Sequence, residues 1–232
     1  AVLWLLILKK TRFELVLTNP GSSGPGGSRH FDFLTKNPAG TIPCLEETET
    51  GFTLGEAHAI MTYLAQKNAW HDVYPEDLQA RARIDGFLHF HHRNFREASV
   101  GLVAPKVRKD LNIPESIQVS AHRSLSRALK MLDTSVLSQG QFLTGDSMTL
   151  ADLAAYVEIG QLQPGFTNVF DFSGYPNVQR WMSDMMRVDG HDDVHVALTE
   201  LGDISERAPD MDQIKQANRR ALGAIKARLE GL

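Results

Sequence analysis

Asn37-Pro38-Ala39-Gly40-Thr41-Ile42-Pro43-Cys44-Leu45, followed by Thr53-Leu54-Gly55-Glu56-Ala57-His58-Ala59-Ile60, decides the reading of this chain. Proline entering a strand removes a ladder donor, so Pro43 belongs at an edge or bend. If the Ile42–Pro43 bond is cis, the backbone of Ile42 turns outward and is free to pair with an extended peptide. The strand-like Phe52–Leu54 leads at once into a helical pattern over Glu56–Gln66, with Ala59, Ile60, Tyr63 and Leu64 on one face. Amide N–H groups at a helix start favour a carboxylate. A strand edge beside a helix start is a site for a short anionic peptide. A bend and a cap with nothing bound would use the same residues.

Outward from this segment the chain divides in two. Up to about Asn68 the apolar runs are short and glycine and proline are frequent. Phe13–Thr18 is strand-like, Arg29–Lys36 has the pattern of a short helix, and Thr41–Glu46 pairs naturally with Phe52–Leu54 across the turn at Thr50-Gly51. Ala1–Leu8 is apolar on every side and fits a buried strand or a buried helix; its local composition leans to strand. Residues 69–77 form a polar connector. From Leu78 onward helical patterns dominate: Leu78–Lys109, Ser116–Gln139, Leu150–Leu162, Pro176–Arg187, His191–Glu200 and Asp210–Leu232. Thr149-Leu150-Ala151-Asp152 has the hydroxyl and carboxylate of a capping box. The expected organisation is an α/β domain over 1–68, a linker over 69–77 and an all-helical domain over 78–232.

Composition narrows the function classes. The 232 residues carry 24 basic and 28 acidic side chains, a formal net charge of −4, which lacks the positive field of a non-specific nucleic-acid binder. Residues 1–68 balance at six of each sign, so the acidic excess lies in the helical part. The longest apolar run is far short of the ~20 residues of a membrane helix. The basic amphipathic pattern of the last stretch has no aromatic anchor and reads as a packed terminal helix rather than a membrane-surface one. The single cysteine, Cys44, excludes a disulfide framework and fits an intracellular chain. Without a cationic neighbour in sequence it reads as a small apolar side chain, not a nucleophile. The glycine-rich Gly21–Gly27 lacks the Gly-Lys-Ser/Thr ending of a phosphate loop. His89, His91 and His92 share one expected helix, with His89 and His92 on one face, and His191 and His195 stand four apart. Spacing supplies no third ligand to either group, so no metal site is assigned.

Together these segments resemble the glutathione-binding half of a glutathione S-transferase, and the details resemble the theta class. Tyr74–Asp85 is similar to that class's entry into its helical domain, His91–Arg96 to its next helical signature, and Thr149–Asp152 to its capping box. The likeness covers roughly residues 1–200. It implies a thioredoxin-like N-terminal domain followed by an all-α domain, with Ala1–Lys10 as a helix, against the local lean. It also implies that a first strand and a loop carrying the catalytic serine lie upstream of Ala1, so that no residue here is assigned that catalytic role. The sheet should then lack a central strand and leave Phe13–Thr18 with an unpaired edge.

The implied glutathione-binding residues are Thr41, Ile42, Pro43, Glu56, Ala57 and His30; the electrophile site takes Arg96 and Arg93. Ala57 stands where the family usually has Ser or Thr against the γ-glutamyl carboxylate. Thr41 replaces a common Lys, and His30 sits about two positions from the register of the residue that meets the glycyl end. The implied activity is conjugation of glutathione, a co-substrate, to small electrophiles in detoxification, with no cofactor, by a cytoplasmic homodimer with no nucleic-acid or membrane partner. A non-catalytic binding module of the same fold is the alternative.

Overall fold

In a computed structural model, which describes residues 1–231, the chain opens with helix α1 (Val2–Leu8) and a short α2 (Phe31–Leu34). Strands β1 (Cys44–Glu46) and β2 (Thr53–Gly55) form an antiparallel hairpin in the register Cys44↔Gly55, Leu45↔Leu54, Glu46↔Thr53. Helix α3 (Ala57–Lys67) follows directly, and α4 (Leu78–Asn94) begins after the connector. The connector is itself anchored: Val73 and Tyr74 are buried, and the Val73 carbonyl accepts from the Leu150 N–H.

Two expectations for the first twenty residues resolve differently. Ala1–Leu8 is helical, because Trp4, Leu5, Leu6 and Ile7 bury nearly every side of one short element between the hairpin half and the helical half. Phe13–Thr18 is not a strand. Among the described residues the sheet has two strands only, so no ladder fixes this segment, and Val16 and Leu17 stay exposed.

The helical half runs through α5 (Arg96–Ala98), α6 (Ala104–Val107), α7 (Glu115–Met131), α8 (Leu150–Ile159), α9 (Pro176–Met185), α10 (His191–Leu201) and α11 (Met211–Glu230). The long helix expected over Leu78–Lys109 is broken into α4, α5, a π-helical turn at Ser99–Val103 and α6. Gly101 in that turn packs so close to α7 that a Cβ would lie 2.1 Å from the Ala121 methyl; the bend and the missing side chain together admit the helix crossing. Helix α8 is the centre of the molecule, with Leu150, Ala151, Leu153, Ala154, Ala155, Tyr156 and Ile159 buried. Its capping carboxylate, Asp152, is fully buried and accepts from the backbone of Thr149 and Leu143 and from Trp181 Nε1, each at 2.9 Å. A main core joins Trp4, Met61 and Ala65 to the helical half, and a smaller cluster of Leu6, Ile60 and Leu64 packs against Leu45 and Leu54 of the hairpin. No described helix is long and apolar enough to cross a membrane.

Candidate glutathione and electrophile sites

The hairpin register brings the two halves of the motif to one place. Because Cys44 lies opposite Gly55, the segment before β1 (Thr41–Pro43) and the segment after β2 (Glu56–Ala57) share one end of the sheet. The Ile42–Pro43 bond is cis. Ile42 is 46% exposed, and among the described residues neither its N–H nor its carbonyl is hydrogen-bonded. Glu56 occupies the left-handed region at φ 64°, an unusual place for a residue with a long side chain. It caps α3 without a side-chain bond of its own, so its carboxylate and the first N–H groups of α3 are unspent by the protein.

Asn37, which the sequence motif contains but which carried no assignment, holds this arrangement together. It is buried, and its Nδ2 donates to the Thr41 carbonyl at 2.7 Å and to Thr41 Oγ1 at 3.2 Å, while its Oδ1 accepts from the Ala39 N–H. Its amide also lies against Gly55, where a Cβ would come within 3.1–3.2 Å of it. Asn37 thus fixes the loop bearing Ile42 against the strand leading into α3. An Asn-Pro turn was the available signal. Thr41 is spent on Asn37. His30 caps its own short helix by accepting at Nδ1 from the Asp32 N–H, at 3.4 Å, and the nearby Ser28 is buried and accepts from the Gly21 N–H. Cys44 is half-buried, and burial pushes its thiol up, away from reactivity.

On the helical side Arg96 Nη1 donates to Glu158 Oε1 at 2.9 Å. Glu158 is buried on α8 and also accepts from Ser99 Oγ and from Gln161 Nε2. Arg96 is therefore held in one orientation by a carboxylate from another helix, with its side chain still 56% exposed. Glu158 carried no assignment, although a carboxylate beyond the capping Asp152 in the apolar Leu-Ala-Asp-Leu-Ala-Ala-Tyr-Val-Glu-Ile is a visible anomaly. Arg93, one turn away, is exposed and has no ion pair or hydrogen bond among the described residues.

The histidines separate into two groups. His191 and His195 stack at 4.4 Å between ring centres and are satisfied within the core: His191 by Tyr156 Oη and Asp192, His195 by the His191 carbonyl. His89 is exposed and lies outside the group that the other two histidines of α4 form. His91 and His92 of α4 meet His58 of α3. Burial, and then the neighbouring imidazoles, push His58 down to about 4 and His91 to about 3, so both are neutral at pH 7.

The models of the glutathione S-transferase N-terminal and C-terminal domains match residues 1–67 and 95–189. Glutathione S-transferase theta-1 of Homo sapiens is 30% identical over 189 residues, 78% of this chain and 77% of that one. This chain belongs to the glutathione S-transferase family. The theta-1 enzyme of Mus musculus is 33% identical over 165 residues, 69% of this chain and 67% of its own. Among solved structures, a Bombyx mori glutathione transferase superposes with a TM-score of 0.69 at 26% identity, over 82% of this chain and 84% of that one. A delta-class glutathione transferase of Nilaparvata lugens superposes at 0.68 over 98% and 92%, at 23% identity, a likeness of fold.

Proposed function

We propose that this chain is a theta-like glutathione transferase that conjugates the thiolate of glutathione to small electrophiles. The observation that carries the reading is the unspent polar backbone at one sheet end: the free N–H and carbonyl of Ile42 opposite the open first turn of α3. An extended peptide backbone satisfies the first, and a carboxylate satisfies the second. Ile42 and Pro43 then line the tripeptide, Glu56 and Ala57 hold its γ-glutamyl end, and Thr41 and His30 lie towards its glycyl end. The Arg96 guanidinium, oriented by Glu158, favours an electrophile with an anionic leaving group, and Arg93 adds positive charge at the rim. The same reading makes the protein a cytoplasmic homodimer; the exposed Val16, Leu17, Phe31 and Phe52 are side chains that an interface would cover.

The test is steady-state conjugation of glutathione to electrophiles with and without an anionic leaving group, with glutathione binding measured separately by calorimetry. Arg96→Ala should lower kcat/KM for the anionic-leaving-group substrate while leaving the calorimetric Kd for glutathione unchanged. Binding without turnover would favour the module, which the replacement of the usual hydroxyl by Ala57 also favours. No binding at all would remove the peptide slot.

A further inference from the structure

His58, His91 and His92 come from two helices, and one ring nitrogen of each lies within 4.8 Å of the others. We propose that they form a three-imidazole site for a divalent transition-metal ion, of the zinc, cobalt or nickel class, between α3 and α4. Two observations point to a ligand rather than to packing alone. His58 Nδ1 and His91 Nδ1 are both buried without any hydrogen-bond partner, and an unpaired buried acceptor costs free energy that a bound ion recovers. His91, moreover, donates from Nε2 to the Ala154 carbonyl at 3.1 Å. That bond fixes the tautomer whose free lone pair sits on Nδ1, the outer support usual for a metal-bound histidine.

The geometry is close to what such an ion needs. Ligand nitrogens around a tetrahedral zinc ion stand about 3.4 Å apart, so nitrogens within 4.8 Å of one another must close in by up to about 1.4 Å. The His92 ring, exposed on its outer side, lies 4.7 Å from the His58 ring between centres. The set contains no carboxylate or thiolate, which selects borderline ions over magnesium or calcium. With three protein ligands, a fourth position stays open on the solvent side of His92. His58 immediately follows Ala57, so the ion would lock the first turn of α3 to the helical half.

The protein, free of any affinity tag and stripped with a chelator, is titrated with Co²⁺ followed by visible absorption, and with Zn²⁺ by competition. The expected result is one ion per chain, with the d–d bands of a low-symmetry nitrogen site. The thermal midpoint should rise by about 5 °C at 100-fold excess over Kd. His92→Ala, which alters an exposed side chain and leaves the core intact, should weaken binding at least about 100-fold, beyond the loss typical of an outer support. His58→Asn should do the same, and His89→Ala, exposed on the same helix, should change nothing. Equal affinity in the chain and in His92→Ala, or equal weakening by His89→Ala, would overturn the site, because either describes scattered surface chelation. Absence of cobalt binding to the unaltered chain would overturn it outright.

Discussion

Ala57 and Asp152 show how single side chains set what this fold can hold. Ala57 leaves the start of α3 with backbone donors and no hydroxyl. Ala57→Ser should add one hydrogen bond to an ionised carboxylate, worth about 1.5–3 kcal/mol, and so tighten glutathione about tenfold or more by calorimetry. An unchanged Kd would mean that the carboxylate is not bound at this helix end. Asp152 was legible as a cap from Thr149-Leu150-Ala151-Asp152, but not as the acceptor of Trp181, because the distance between them in sequence gives no hint of contact. Asp152→Ala would orphan the Leu143 and Thr149 amides and the Trp181 indole. The expected loss is at least about 3 kcal/mol, from a lost cap and unpaired buried donors, read as a lower urea midpoint at unchanged m. A loss under 1 kcal/mol would mean that water reaches these groups.

Helix α10 carries a pH dependence that its sequence conceals. His195 lies among Trp4, Tyr156 and Phe166, and burial lowers it from its ordinary value near 6.5 to about 4. Between these values the unfolded chain binds a proton that the folded chain refuses. Its contribution is therefore fully present above pH 6.5 and fades as pH falls towards 4, by on the order of 3 kcal/mol. Burial raises Asp152 to about 6, which acts in the opposite sense below that pH, so the comparison must be made against a variant. His195→Asn keeps a donor for the His191 carbonyl but cannot be protonated; it should lose less stability than the parent between pH 7 and 4.5. Parallel curves would remove His195 as the cause. The elements themselves were largely readable. Helical spacing located α3, α8, α9, α10 and α11 to within a few residues and the starts of α4 and α7, but it ran both of those past their ends at Asn94 and Met131; Pro43 with Glu56 marked the proposed peptide slot. Three things were not. Phe13–Thr18 has strand composition, but a strand exists only where a partner closes its ladder. The π turn at Gly101 depends on the close approach of Ala121, a contact between helices. His58 reaches His91 and His92 only through the packing of α3 on α4, which no spacing along one helix reveals.

At the scale of the molecule, the described residues of the α/β half bury little surface among themselves: two three-residue strands and a satellite core of a few side chains. Its stability comes from docking, and Trp4 is the dowel. The indole is fully buried, meets Tyr156, His191 and His195 edge-on at 5.3–5.6 Å, and donates from Nε1 to the Asp189 carbonyl at 2.9 Å. Gly190, beside that carbonyl at φ 81°, leaves room for Ile7, whose Cγ2 would stand 2.7 Å from a Cβ. Since one core runs through both halves, urea should unfold the chain in a single transition seen alike by circular dichroism and tryptophan fluorescence. Trp4→Ala removes the largest side chain of α1 and should cost about 3–5 kcal/mol, enough to release the hairpin half first and split the transition. Trp4→Phe keeps most of the packing, loses about 1 kcal/mol of hydrogen bonding, and should remain a single transition. Two separate transitions in the unaltered chain would show that the halves fold independently, and the docking role of α1 would then be withdrawn.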